Sequence, residues 1–318
     1  MPASMILTAF ILDLLLGDPP WLPHPVRGIG WLIKRSEMVL RRFTRSPGSE
    51  KIAGILLVLL IVLTVYGFSA VLLFFASSFS SFLGFIAAVF LAYTTLAARD
   101  LARSARNVLV HLEDGDIVGA RQALSMIVGR DTADLDEQGI MRAVVETVAE
   151  NTSDGVIAPL FYLALGGPAL AMAYKAVNTL DSMVGYRNAA YKNFGWAAAR
   201  LDDLANFVPA RITAVLLLLA AWCLPGASGR NAFRISCRDG RKHASPNSGY
   251  PEAAVAGALG LRLGGPSTYG GLLLDKPHIG DGSGDFDKKC IEKSIRLMYC
   301  ASTFAVLAAV FAAQMTSG

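Results

Sequence analysis

The chain has 318 residues, 53% of them hydrophobic and only 17% charged, with a formal net charge of +4 and a mean hydropathy of +0.46. These values lie outside the soluble globular range and indicate an integral membrane protein. The small positive charge is explained by topology, because no interleaving of basic and aromatic residues of the nucleic-acid-binding kind occurs.

The first apolar stretch, Met5 to Leu16, is interrupted by Asp13 and followed by Gly-Asp-Pro-Pro where a signal peptide would carry a small-residue cleavage site. It is therefore expected to be a retained helix. The Pro-rich turn after it carries Asp18, His24 and Arg27. Such prolines fix a rigid loop at a helix exit. These three residues read equally well as part of a polar pocket or as a turn residue with two headgroup contacts.

Between Arg27 and Lys51 seven basic residues stand against Glu37 and Glu50, which places this segment on the cytoplasmic side. The run from Ile52 to Ala98 contains no Asp, Glu, Lys or Arg and is divided by Ser77-Ser78-Phe79-Ser80-Ser81. Its length predicts two spanning helices joined by a tight turn. Arg99 to Arg142 reads as cytoplasmic helices broken at Asp114-Gly115-Asp116 and Gly129-Arg130-Asp131. The acidic stretch Asp131 to Glu137 lacks the spacing of a calcium loop and is expected to be a solvated helix start.

The most unusual segment is Glu146-Thr-Val-Ala-Glu150-Asn151-Thr-Ser-Asp154-Gly155, three acids and an amide at the mouth of an apolar stretch. Ionisable groups are costly beside hydrocarbon and are normally used on a substrate, an ion or each other. On a helix Glu146 and Glu150 share a face, with Asn151 and Asp154 one turn on. A capped helix end with solvated acids is the competing reading. Val156 to Val177 follows, broken by Gly166-Gly167-Pro168; with the short apolar stretch Ile212 to Pro225 it leaves re-entrant elements open.

Lys175, Asn178, Asp181 and Ser182 fall along one helical stripe, followed by Tyr186 and Arg187. Such a stripe suits a cavity or water-filled cleft. The next helix carries Arg200, Asp202, Asp203, Asn206 and Arg211, either hard oxygen ligands for magnesium or an internal salt-bridge network. Then come Ser245-Pro246-Asn247-Ser248-Gly249-Tyr250-Pro251-Glu252, preceded by His243, and a Gly-rich stretch from Gly264 to Gly271. Gly-rich turns let backbone amides approach phosphate, but no P-loop pattern is present, and loop flexibility is the competing account. Leu297 to Ala313 is the last apolar segment. The four cysteines show no CxxC spacing and are expected to be reduced thiols.

In order along nearly the whole chain, four blocks resemble the CobD/CbiB membrane family of the cobalamin pathway: Gly17-Asp18-Pro19-Pro20 with His24-Pro25, Glu150 to Gly155, Asn178 to Tyr186, and Ser245 to Glu252. The resemblance implies an ATP-dependent, magnesium-requiring ligase, an adenosylcobinamide-phosphate synthase. It would join a carboxylate of adenosylcobyric acid to the amine of aminopropanol phosphate, or of aminopropanol. Such a reaction needs carboxylate activation, amine deprotonation and stabilised phosphoryl oxygens. On residue chemistry Glu150, Asp154 and Asp181 are assigned to magnesium, with Asp202 and Asp203 as the alternative pair. Lys175, Arg187 and Arg200 are assigned to phosphates and Glu146 to the general base. Asp18, His24, Arg27, Asn151, Asn178, Ser182, Tyr186, Asn247 and Glu252 are expected to line the substrate site.

The expected architecture is a single all-α, polytopic membrane domain with four or five embedded helices and cytoplasmic helical loops, in an inner, bacterial-type cell membrane, with the active site facing the cytoplasm. The expected partners are the corrinoid, the amino alcohol and the bilayer, with no nucleic acid; a homo-oligomer or a complex with other pathway enzymes is left open. Two other classes compete. A transporter would place polar residues near broken apolar segments and show inverted repeats, of which none is visible. A membrane regulatory protein like the distant relatives linked to β-lactamase induction would have little need of all four polar blocks.

Overall fold

The computed structural model describes residues 3–19, 21–186 and 188–315. Thirteen α-helices and one two-stranded sheet form among them, in two compact units: Met1–Ala97 with Ala158–Asn206 and Val306–Gly318, and Ala98–Ile157 with Phe207–Ala305. Four helical stretches are long and apolar enough to cross a membrane, five if one bent helix pair is counted as a span. The protein is an all-helical polytopic membrane protein, as composition predicts.

In the first unit α1 spans Ala3–Leu16, α2 Pro25–Leu40, α3 Pro47–Phe79 and α4 Ser81–Tyr93. The predicted tight turn between the two apolar helices is a single residue, Ser80, which ends α3 and caps α4. Its hydroxyl accepts from the amides of Phe82 and Leu83, both at 3.2 Å, satisfying donors that a helix start leaves open. The most apolar stretch of α3 has a mean hydropathy of 2.8, yet only 28% of it is buried within the protein. Phe68, Phe74 and Phe75 point outward, the arrangement of a helix whose remaining solvent is lipid. Its inner face packs Leu57 and Ile61 with Ile29 and Ile33 of α2 and with Leu180 and Val184.

Those last two residues belong to α8 (Ala158–Val184), which is reached after α5 (Ala98–Glu113), α6 (Ile117–Ser125), α7 (Glu137–Thr152) and one π-helical turn, Ser153–Ile157. The predicted break in α8 is present: Gly166 and Gly167 leave helical geometry ahead of Pro168. Helix α9 (Trp196–Ala205) packs against α8, and the segment before it is pinned where the Arg41 guanidinium lies 4.3 Å from the Phe194 ring.

The second unit combines α5, α6, α7 and the π turn with α10 (Phe207–Cys223), α11 (Gly229–Asp239), α12 (Gly249–Leu259), strands β1 (Leu263–Tyr269) and β2 (Leu272–Ile279), and most of α13 (Lys289–Met315). The stretch expected to be a Gly-rich loop is an antiparallel hairpin. Its turn residues, Gly270 and Gly271, both take positive φ, the backbone that a tight two-residue hairpin turn demands. Asp239, fully buried at the end of α11, accepts from Arg238 and Lys242 and from the Gly280 amide. The adjoining Arg238 guanidinium holds its carboxyl well below the usual range and so fixes the far end of β2. The acidic stretch before α7 is a helix start, with Asp136 accepting from Gly139 at 2.7 Å. All four cysteines are free.

The single-residue turn gives a direct test. Ser80→Ala removes the acceptor for two amides and should lower stability by about 1 kcal/mol, whereas Ser80→Gly should cost only a few tenths. Thermal melts in detergent measure the difference, and equal melting of all three proteins would refute the capping role.

Candidate functional site

In the second unit, α7 and α12 bring three glutamates together. Glu146, only 5% exposed, accepts from the Arg130 guanidinium through one oxygen and from the Gly264 amide at 2.8 Å through the other. Gly264 takes φ +80, and a Cβ there would lie 2.2 Å from the Pro277 carbonyl, so only glycine presents this amide without strain. Glu150, half-buried one turn further along α7, accepts the Ser248 hydroxyl at 2.7 Å. Glu252, 4% exposed on α12, lies 3.9 Å from His243.

The protonation states of that last pair follow from their surroundings. Burial, then the neighbouring Glu146 and Glu150 charges, push the Glu252 carboxyl well above the usual glutamate range, against a smaller opposing pull from Lys276 and Arg130. Burial also pushes the His243 imidazole down, more strongly than Glu150 raises it. Its Nδ1 accepts the Ser245 amide at 3.0 Å, so the proton of the neutral ring sits on Nε2, the atom facing Glu252. Both shifts favour the uncharged form of the pair.

The Ser245 to Glu252 block is held by Arg211. This guanidinium donates to Asn247 Oδ1 at 2.9 Å and to the Pro246 carbonyl at 3.2 Å, and lies between the rings of Phe207 and Tyr250 at 3.7 and 4.2 Å. Asn247 is therefore a buried scaffold group on its side-chain oxygen. Asn151 donates to the Thr147 carbonyl one turn back, and Asp154 is half-buried within the π turn.

In the first unit, α8 and α9 assemble an oxygen-rich cluster. Asp202 sits within electrostatic reach of Asp181 and Asp203, with Asn178 and Asn206 beside it. Asp202 Oδ1 and Asn206 Nδ2 are buried without a well-formed hydrogen bond. Asn206 is oriented by the Tyr174 hydroxyl, which donates to its Oδ1 at 2.8 Å. Gly185 closes the block: a Cβ there would lie 1.9 Å from Asp181 Oδ1. Ser182 is exposed and donates to the Asn178 carbonyl, and Lys175 is half-buried on the same helix. Of the residues in the salt-bridge alternative, Arg200 approaches Asp203 at 3.9 Å and is largely exposed, and Arg211 donates to Asn247.

Asp18 and His24 meet at 3.1 Å, an ion-pair approach without hydrogen-bond alignment. His24 Nδ1 also accepts from Val26 and so caps α2. It borders a cavity of about 360 Å³ lined mainly by apolar residues of the first unit, among them Ile29, Leu32, Val65, Phe68 and Met172. Such walls suit an apolar group and not a phosphate. Arg27 and Tyr186 are exposed, and Arg187 lies outside the described residues.

Among the described residues no three His, Cys, Asp or Glu side chains converge as a ready-made metal cage. Magnesium commonly takes one or two carboxylates and completes its shell with water and phosphate oxygens. The open Asp202 oxygen beside Asp181 fits that demand. Within the second unit Glu146 does not, since both of its oxygens are already engaged.

The family described as CobD/Cbib protein matches residues 6–298. The chain belongs to the CobD/CbiB family. Among its relatives, three proteins named "Cobalamin biosynthesis protein CobD" are about half identical to it. That of Pelobacter propionicus is 52% identical over 303 residues, covering 95% of this chain and 92% of the relative. That of Geobacter metallireducens is 52% identical over 314 residues, covering 99% and 96%, and that of Klebsiella pneumoniae 51% over 298 residues, covering 94% and 93%. No solved structure matches. Family membership thus confirms the resemblance carried by the four blocks and sets the protein in cobalamin biosynthesis.

His243, Arg130, Lys276 and Arg211 contact the site groups or act on them electrostatically, although sequence spacing does not place them there. The first three converge on the glutamates only once the loop before α7 and the hairpin after α12 are folded. The Glu252 environment predicts an unusual pH response. The folded carboxyl keeps its proton where the unfolded one, near 4.5, has lost it. The group therefore destabilises the fold increasingly as pH rises above that value, and Glu252→Gln should gain stability over wild type progressively as pH rises from there toward the folded carboxyl's own titration. His243 works in the opposite sense, losing stability as pH falls through its unfolded value of 6.5. Melting temperatures of wild type and Glu252→Gln across this range check the signs, and a constant difference would show that Glu252 is ionised when folded.

Proposed function

We propose that the protein joins a carboxylate of adenosylcobyric acid to the amine of aminopropanol phosphate, yielding adenosylcobinamide phosphate, or of aminopropanol, yielding adenosylcobinamide, with ATP as the activating co-substrate. The observation that carries this reading is membership of the cobalamin-biosynthesis family over residues 6–298. The geometry supports it through groups suited to proton transfer and to phosphoryl oxygens. Activation converts the carboxylate oxygen into part of a phosphate leaving group. Attack by the amine then forms the C–N bond and breaks that C–O bond, releasing phosphate and a proton.

In this reading Glu150 accepts the amine proton. Glu146, the residue first assigned that role, has its oxygens occupied by Arg130 and Gly264, whereas Glu150 holds a single hydroxyl donor and retains solvent access. A base must reach its proton before its strength matters. The uncharged Glu252–His243 pair provides hydrogen-bond donors where charge would be costly. Asp181 and Asp202, supported by Asp203, would hold magnesium, which when bound would neutralise phosphoryl oxygens. The excess of basic residues between Arg27 and Lys51 supports an inner-membrane orientation with the polar segments facing the cytoplasm.

Purified protein supplied with adenosylcobyric acid, aminopropanol phosphate, ATP and magnesium should form amide and ADP in equal amounts. Product without ATP consumption would overturn the ligase reading. Glu150→Gln and Asp202→Asn should each lower turnover by about 100-fold or more while leaving membrane insertion intact. Full activity in both would remove these residues from the mechanism.

A further inference from the structure

The stripe of α7 that carries Glu146 and Glu150 also carries Arg142, one turn toward the helix start and so about 6 Å along the axis. Here the second unit forms a pocket of about 200 Å³ lined by Arg142, Arg262 and His278, with Asp136, Gln138 and Phe286 in its wall. Both guanidinium groups are anchored by neutral partners: Arg142 Nη2 donates to the Pro266 carbonyl and Arg262 Nη2 to the Ser283 carbonyl, each at 3.2 Å. Among the described residues neither is paired with a carboxylate, although Arg130, Arg106 and Arg234 of the same unit all are. Arg142 Nε is buried with no hydrogen-bond partner, a costly state for a charged donor.

A glycine beside the pocket lets the His278 ring and the Arg142 guanidinium approach each other. Gly265, at φ +83, has no side chain to separate them: a Cβ there would lie 2.7 Å from His278 Cε1 and 3.3 Å from Arg142 Nη1. Gln138 fixes the opposite side, with Oε1 accepting the Phe286 amide at 2.6 Å and Nε2 donating to its carbonyl at 3.2 Å. Asp136, the acid in the wall, has Oδ1 committed to the Gly139 amide. Two planar forks and an imidazole around a small, prebuilt pocket form a donor set for a tetrahedral oxyanion.

We propose that this pocket binds a phosphoryl group, with Arg142 and Arg262 as its charged donors and His278 as the third side. The pocket rests on its own residues; which molecule brings the phosphate rests on the ligase reading, where the nucleotide and the phosphorylated amino alcohol both carry one.

The test uses the full chain in detergent with three probes: inorganic phosphate, a non-hydrolysable ATP analogue and aminopropanol phosphate. Phosphate at millimolar concentration should protect Arg142 and Arg262 of the wild type from phenylglyoxal, as mapped by peptide mass. Arg262→Gln should weaken phosphate binding about tenfold or more, the loss expected for a charge-assisted hydrogen bond. Because Arg262 is exposed, this variant keeps the fold that Arg142→Gln would disturb at Pro266. The organic probe that displaces phosphate identifies its source. Displacement by neither would leave the pocket standing and count against the ligase reading alone. Unprotected arginines in the wild type, or undiminished binding by Arg262→Gln, would overturn the pocket.

Discussion

The polar architecture of the second unit depends on one buried ion pair, Arg130 with Glu146. Their side chains are 8% and 7% exposed. Taking two charges out of water is expensive, and the attraction between them offsets that cost only when other donors complete the carboxylate. The Gly264 amide does so. One carboxylate thereby ties together the loop before α7, the helix itself and the first strand of the hairpin, segments far apart in sequence. The same hairpin places Lys276 within electrostatic reach of Glu252 and His243 and delivers Gly265 and His278 to the arginine pocket. A hairpin of two strands has little independent stability in water, so its attachment to Glu146, to Asp131 through the Gly271 amide, and to Asp239 is what gives it a fixed position.

The first unit meets a different constraint. Its helices obtain little net gain from packing apolar faces that lipid would also accommodate, so specificity must come from close packing and polar contacts. Both are concentrated on α8. Ala176, Leu180 and Val184 lie in the buried core, while Asn178 and Asp181 carry the polar stripe toward α9. The break at Gly166 and Gly167 lies more than two turns before Asn178, so the stripe rides on an unbroken helical segment. Tyr174 serves the cluster from the same helix, stacking on Tyr162 and orienting Asn206.

Much of this was legible in the chain because its signals are local. Absence of charge over Ile52 to Ala98 predicts two spanning helices, Ser80 supplies the turn, and Gly166-Gly167-Pro168 marks the break. Helical spacing reports which residues of one helix share a face, and so it groups Asn178 with Asp181; it does not report that Asp202 of the next helix lies within electrostatic reach of Asp181. What spacing cannot report is which donors arrive from distant segments. Glu146 looks like a free acid in sequence because Arg130 and Gly264 are brought to it only by folding. Spacing sets His243 and Lys276 near the Ser245 to Glu252 block without a partner for the same reason, and the competing salt-bridge reading sets Arg211 against Asp202 and Asp203 when it donates into the Asn247 loop. The Gly-rich stretch reads as turns open to phosphate or as a flexible loop, and its strands are hidden because glycines weaken strand propensity; in the fold they supply the positive φ values that the turn and the Glu146 contact require.

The three glutamates show how one side chain type takes three states within a small region. Glu146 is a charged anchor because a guanidinium and an amide complete it. Glu150 meets a hydroxyl and solvent, and so keeps an oxygen available. Glu252 is sealed off beside both, and a third negative charge there would face two others with only partial compensation from Lys276 and Arg130. Burial is the main reason its carboxyl is pushed up, and the charge on Glu146, held in place by Arg130, adds to it. Removing the guanidinium would therefore act beyond the broken pair. Glu146 would be left buried with the Gly264 amide alone, facing Glu150 and Glu252 without its counter-charge, so the charge balance of the cluster is set in part by an arginine placed behind it.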